Sequence, residues 1–350
     1  MSSQSFPTDV ASMSARVLAE KRAVAGGTAV RAATNSCSGV EGTAVSEIIN
    51  NGIVATSSVL LIGSFFWVPA CLWHVWRNRC KTRRRKALFL GCLVVFLTAP
   101  LPVSRRTVAR LSLWNRFWRY FSCTYFGDSE ARRRKQSLFC LVPHGVFPFG
   151  VAFASLGRPN ETVFNDARPV CASIILRTPV VGHIARFIGA VGASRQAIDA
   201  ALGEGHSLSL APGGIGEMFL DGEAGKEFAL IKEHKGFVRA AMTHGVSLVP
   251  VYVFGNSETF KRVPLPAVLE NLSRMLKASL VLFWGRWGLP IPFKVPLTFA
   301  IGDALEVEKN LSPSPEQVDA VHARFCEALA GVFDRWKGAY GWADKQLELR

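Results

Sequence analysis

Three segments of this chain carry residue types suited to chemistry. In LVPHGVFPFG (141–150) an apolar run leads into Pro143, His144 and Gly145. An imidazole at the end of a buried strand can take a proton from a hydroxyl group near neutral pH. Pro143 would stiffen the turn and Gly145 would allow close backbone approach. Taken alone, a histidine beside a strand is also compatible with a structural role. In SLSLAPGGIGEMF (207–219) a second apolar run meets Pro212, Gly213 and Gly214, with Glu217 three residues on. The spacing does not make a dinucleotide fingerprint, since Phe219 fills the third glycine position and no acidic residue lies near 240. A Gly-x-Ser-x-Gly elbow and a Walker loop are missing as well, so serine-hydrolase and P-loop chemistries lack their parts. The turn then reads as main-chain donors near a carbonyl or phosphate, with Glu217 a buried acid; a plain turn with a surface glutamate is the alternative. In HKGFVRAAMTHG (234–245) Lys235 and Arg239 stand one helical turn apart, as phosphate ligands or as solvated charge.

These residues need strands that end beneath them. Runs at 137–142, 170–176, 207–211, 246–254 and 297–301 read as buried strands, and stretches at 179–190, 194–203 and 235–244 read as helices. Gly245 is a helix stop placed directly before a strand. Strands alternating with helices imply an α/β layered domain with a mostly parallel sheet, which places ligands at the carboxyl ends of its strands. That is where His144 falls.

The remaining chain is of another character. Hydrophobic residues make up 49% of the 350, and no formal charge occurs from Ile53 to Trp76 apart from His74 when protonated. That run is long enough to cross a bilayer as a helix, with Trp67, Trp73 and Trp76 toward its interfacial end. A second run, Ala87–Val103, is shorter, and a basic loop joins the two as a spanning or re-entrant hairpin. Two buried core helices are the soluble alternative. Between Arg77 and Lys135 sixteen Lys or Arg face only Asp128 and Glu130, so nearly all of the net charge of +15 sits beside apolar segments. Anionic lipid headgroups fit that placement better than nucleic acid. Residues 104–121 set Trp114, Phe117, Trp118 and Phe121 at helical spacing among five arginines, as an amphipathic helix in the interface would. The eight cysteines are scattered without a Cys-x-x-Cys pair and are read as free thiols. The organisation expected is a disordered or weakly structured tail (1–50), two hydrophobic membrane segments with a basic loop (51–103), a basic amphipathic interfacial segment (104–135) and a catalytic domain (136–350).

The succession of Pro143-His144-Gly145, Ala193-Ser194-Arg195, Pro212-Gly213-Gly214 with Glu217, and Lys235-Gly236-Phe237 resembles the type 2 diacylglycerol acyltransferase family. The match continues through VPVYVFGNSETFKRV (249–263) and FWGRWGLPIPFKVPLTFAIGDALEV (283–307), in a form similar to plant, algal or protist members. The resemblance implies a glycerolipid-acyltransferase-like layered sheet with flanking helices behind a membrane-embedded N-terminal hairpin. It implies an endoplasmic reticulum membrane enzyme facing the cytosol, with lipid droplets a second location, that esterifies diacylglycerol from acyl-CoA. Acyl-CoA is then a co-substrate, with no separate cofactor and no metal. The partners implied are acyl-CoA, diacylglycerol and membrane lipids, not nucleic acid, with a homo-oligomer left open. Monoacylglycerol or a long-chain alcohol is the alternative acceptor, and a catalytically silent neutral-lipid-binding protein the alternative class.

His144 matches the last histidine of the family's His-Pro-His-Gly block and is the expected catalytic base. Glu217 is expected to orient its imidazole, amides near Gly145, Gly213 and Gly214 to hold the oxyanion, and Arg195, Lys235 and Arg239 to bind coenzyme A phosphates. The sequence departs from the family at Val142, which stands at the first position of that block. Phe149 stands where the wider glycerolipid acyltransferases carry an aspartate, five residues after the histidine.

Overall fold

The computed structural model describes residues 44–98, 107–108, 110–127, 136–157, 163–164, 166–220, 223–263 and 281–350. Most of the expected tail, the end of the second apolar run with Pro100 and Pro102, and the basic stretch 128–135 lie outside these.

A seven-stranded sheet organises the chain from residue 124 onward. Its strands are β1 (Thr124–Phe126), β2 (Ser137–Val142), β3 (Arg168–Cys171), β4 (Val191–Gly192), β5 (Leu208–Leu210), β7 (Ser247–Phe254) and β10 (Thr298–Ile301), in the order β1-β10-β7-β2-β5-β3-β4. Every pairing is parallel except β10 with β7. Two small sheets pair β6 (Lys226–Ala229) with β11 (Gln346–Leu349) and β8 (Lys261–Arg262) with β9 (Phe283–Trp284). All residues of β2 and β7 are buried, as the near-continuous apolar runs of a doubly covered parallel sheet require.

The period-2 alternation of strands divides those side chains between two cores. Leu138, Cys140 and Val142 join Leu248, Tyr252 and Phe254 under helices α7 (Arg195–Gly203), α8 (Gly236–His244) and α9 (Pro315–Tyr340). Phe139 and Leu141 join Val249, Val251 and Val253 on the opposite face, under α4 (Ser112–Tyr120) and α5 (Phe149–Phe153). Helix α9 starts with a full capping box, Ser314 with Gln317 and Pro315 at its first turn, and stops at the left-handed Gly341. Its buried stripe of Val318, His322, Phe325, Leu329 and Phe333 closes the first core.

Two expectations change. The segment assigned to the interface belongs to the folded unit. Trp114, Phe117, Trp118 and Phe121 are buried, Trp118 stacks on Phe299 at 5.6 Å, and its indole N–H donates to the Leu156 carbonyl. Strand β1, also from this segment, pairs with β10, so the expected boundary at 136 cuts through the sheet. Helical spacing of aromatics looks the same whether the partner is lipid or a sheet.

The run expected to form one span from Ile53 to Trp76 is instead two helices, α1 (Ala44–Leu61) and α2 (Ser64–Asn78), broken at Ile62–Gly63. By length and composition α1 could cross a membrane. Helix α3 (Arg83–Thr98) follows the basic loop and leans on α2 through Trp76 and Phe89, whose rings lie 5.9 Å apart. Trp67 and Trp73 on α2, and Leu88, Val94 and Val95 on α3, are exposed. The far end of α3 is tied to helix α6 (Val181–Phe187), where His183 Nε2 donates to the Phe96 carbonyl and Arg186 to that of Leu97.

If the aromatic face of α4 serves the core, Trp118→Ala should destabilise the fold by ~3–5 kcal/mol, the usual cost of emptying such a site. Denaturant unfolding in detergent measures this. An unchanged midpoint with weakened vesicle binding would restore the interfacial reading.

Candidate active site

His144 lies two residues beyond β2, at the carboxyl edge of the sheet, in the wall of a cavity of about 1530 Å³. The lining is overwhelmingly apolar, with Phe147, Phe149 and Phe153 on one side, Ile184 and Ile188 of the α6 region on another, and Leu61, Ile62, Phe65 and Phe66 from the α1–α2 break. Polar side chains reaching it are few, among them Ser173, Arg177, Ser194 and His234.

The imidazole is oriented by its own neighbour. His144 Nδ1 lies 2.7 Å from the Gly145 carbonyl oxygen. A carbonyl only accepts, so the neutral ring carries its proton on Nδ1 and keeps a lone pair on Nε2. Burial among apolar groups pushes the ring's pKa below its usual value, with the Gly145 hydrogen bond opposing. The ring is therefore a neutral base at neutral pH.

Glu217 sits close to His144 but not on its ring, which corrects the expected role. One carboxylate oxygen accepts the His144 main-chain N–H at 2.5 Å, and the other accepts the Leu230 N–H at 2.8 Å. It fixes the loop that carries His144. Only 5% exposed, the carboxyl is pushed up to about 7 by desolvation, against which the two main-chain N–H groups act. Glycine at 213 is what lets this carboxylate pass, because a Cβ there would overlap it. The Gly214 amide donates to the Ala211 carbonyl and is thereby occupied, which leaves Gly145 and Gly213 as the oxyanion candidates of the expected set. Phe149, at the family's aspartate position, is a core residue stacked on Phe153 at 5.5 Å.

Asn256 was given no role by its residue type. Fully buried after β7, its Nδ2 donates to the carbonyls of both Pro143, at 3.0 Å, and His144, at 2.8 Å. The three basic residues expected to bind phosphates are not brought together at the cavity. Arg195 is exposed beside Ser194 and pairs with Asp199 at 3.5 Å. Lys235 pairs with Asp319 at 2.7 Å and Arg239 donates to the Pro313 carbonyl, both toward α9. His234 and Arg177 line the cavity instead, and no spacing rule in the sequence singles them out.

Glu217 ionises near 4.5 when unfolded and only near 7 when folded, so the native state holds the extra proton between those values. Stability from this group is therefore full below about 4.5 and falls as pH rises toward 7. Glu217→Gln should flatten the decline of unfolding temperature across that window relative to the wild type. Parallel curves for the two proteins would show that the carboxyl is not raised.

Comparison with known proteins gives the family. A model described as diacylglycerol acyltransferase matches residues 83–350. A bovine diacylglycerol O-acyltransferase 2-like protein 6 is 30% identical over 262 residues, 68% of this chain and 77% of that protein. A bovine 2-acylglycerol O-acyltransferase 1 is 30% identical over 254 residues, 67% of this chain and 75% of that protein. Among solved structures, a 1-acyl-sn-glycerophosphate acyltransferase from Thermotoga maritima aligns over 82% of this chain and 96% of its own, at 12% identity and a TM-score of 0.41. With the match running through the histidine loop, the glycine turn and the last helix, the chain belongs to the diacylglycerol acyltransferase family and is an acyltransferase.

Proposed function

We propose that the chain transfers an acyl group from acyl-CoA to the free hydroxyl of diacylglycerol, with His144 as general base. The observation that carries this is a neutral imidazole, its proton pinned on Nδ1, in the wall of a large apolar cavity. Nε2 takes the hydroxyl proton as the oxygen attacks the thioester carbonyl. The carbon–sulfur bond breaks, and the thiolate leaves with the proton His144 acquired. No acyl-enzyme forms, since the thioester is already activated. The amide of Gly145 is assigned to the developing oxyanion.

Coenzyme A is assigned to the polar side of the cavity. Arg195 is retained for its phosphates because Ser194 beside it lines the cavity; Lys235 and Arg239 would first have to leave Asp319 and the Pro313 carbonyl. The size and apolar lining of the cavity suit acyl chains. The exposed apolar residues of α2 and α3 and the basic loop between them support a membrane enzyme, which we place in the endoplasmic reticulum with its sheet domain in the cytosol. The similarity to a 2-acylglycerol acyltransferase favours monoacylglycerol as the second candidate acceptor. A long-chain alcohol is the third.

Expressed in cells lacking their own triacylglycerol synthesis, wild-type membranes should convert labelled acyl-CoA and diacylglycerol to triacylglycerol. His144→Ala should lower that turnover by ~10²–10⁴. Diacylglycerol or wax ester as the product would keep the chemistry and change the acceptor. A folded His144→Ala with undiminished turnover would remove the base assignment, and a folded wild type forming no lipid ester would favour a silent lipid-binding role.

A further inference from the structure

Strand β6 does not line the cavity, yet both hydrogen-bonded supports of the histidine loop lead back to it. At one end, Leu230 directly follows β6 and donates its N–H to Glu217, which in turn holds the His144 N–H. Within the strand, Glu227 is buried and its Oε2 accepts from Ser257 Oγ at 3.0 Å and from the Tyr252 hydroxyl at 3.4 Å. Ser257 is the residue after Asn256. The other carboxylate oxygen of Glu227 takes Lys345 Nζ at 2.7 Å, and the same ammonium reaches Glu258 at 3.3 Å. Lys345 thus ties Glu227, which holds Ser257 in the middle of the short turn Asn256–Glu258, to Glu258 at the end of that turn. It immediately precedes β11, whose register with β6 runs from Gln346–Lys226 to Leu349–Ala229.

We propose that Asn256 is a positioning residue for His144, and that Lys345, through Glu227, holds Asn256 in place. The proposal rests on His144 being the base of the proposed transfer. The side-chain amide of Asn256 has two hydrogens and spends them on consecutive carbonyls, those of Pro143 and His144. Its Oδ1 is buried without a hydrogen-bond partner among the described residues. An apolar side chain at 256 would leave both carbonyls without this partner, so the amide holds two main-chain groups of the histidine loop while its own oxygen goes unpaired. The geometry makes sense as a clamp: Glu217 fixes the nitrogen of His144, Asn256 fixes its carbonyl, and the Gly145 carbonyl fixes the ring. Gly145 belongs to the same device. It adopts φ +62°, and a Cβ there would lie 2.9 Å from the Asn256 amide nitrogen.

The test uses the full chain in detergent, with Asn256→Asp, Lys345→Met, Lys345→Arg and the double variant. Asn256→Asp keeps the shape but turns two donated hydrogens into a carboxylate facing two carbonyls. Its kcat should fall on the order of 10²-fold, the cost of a misplaced catalytic group, with KM for either substrate unchanged. Lys345→Met should lower kcat in the same manner and Lys345→Arg should restore most of it. The double variant should be no worse than Asn256→Asp alone, because the two residues act through one path.

A folded Asn256→Asp with full kcat overturns the clamp, and additive losses in the double variant overturn the link to Lys345. Should Asn256→Asp not fold, Lys345→Met at its partly exposed position carries the same test. Nitrogen-15 histidine spectra separate this result from failure of the acyl-transfer reading. Even in a wild type that transfers no acyl group, the Nδ1–H signal of His144 should be altered in Asn256→Asp, and an unchanged signal counts against the clamp.

Discussion

A hydrogen bond from the backbone of His144 to the buried carboxylate of Glu217 is the contact on which the site depends. It joins two loops that the sheet alone only brings near each other, the one after β2 and the glycine turn after β5. Burying a carboxylate is costly, and main-chain N–H groups are among the few partners able to offset it without a counter-charge. Two of them converge here, from His144 and Leu230. Desolvation still wins, which is why the acid titrates near 7 instead of 4.5. A support this close to neutrality makes the rigidity of the histidine loop depend on ionisation.

The ring's own partner is a carbonyl, and that choice has chemical consequences. In sites where a carboxylate faces the imidazole, the imidazolium formed during reaction is stabilised by charge. The Gly145 carbonyl sets the tautomer but offers only a dipole, and apolar burial disfavours the charged ring further. Such a base binds a proton weakly and returns it readily. On the proposed reading, attack on a thioester suits it, because a thiolate is a good leaving group, with thiol pKa near 8.5, and needs little acid assistance. An amide or ordinary ester, whose leaving groups are far more basic, would need a better-stabilised imidazolium.

Much of this was legible from residue patterns where one physical requirement had one solution. Strands β2 and β7 are buried on both faces and read as unbroken apolar runs; α7 and α8 came out within a residue or two at their ends. His144 and the glycine turn were visible because a strand followed by Pro, Gly and one polar residue is distinctive. Glu217 was found as a residue but misassigned in contact, since composition does not say whether a carboxylate meets a ring or an amide. Asn256 carries its function through two main-chain carbonyls, which leave no trace in side-chain patterns. Helix α9 passed unread although SPSPEQ is a legible capping signal with Pro at the first turn. Trp114, Phe117, Trp118 and Phe121 met the opposite fate: helical periodicity reports an apolar face and is silent on what covers it.

The break between α1 and α2 shows how the apolar excess and the site belong together. Leu61, Ile62, Phe65 and Phe66 line the cavity, while Leu60, Trp67 and Trp73, on the same two helices, are exposed. One continuous helix from Ile53 to Trp76 would follow a straight course past the sheet domain. The turn at Ile62–Gly63 brings the chain against the β9 region, where Gly63 packs on Pro290 and Phe66 meets Phe283 at 5.4 Å. A side chain at 63 would collide with the Val59 carbonyl, so the break requires glycine there. On the proposed reading, the outer faces of these helices meet lipid and their inner residues wall the reaction chamber. A hydrophobic acceptor could then move from bilayer to base along one apolar surface, without crossing water.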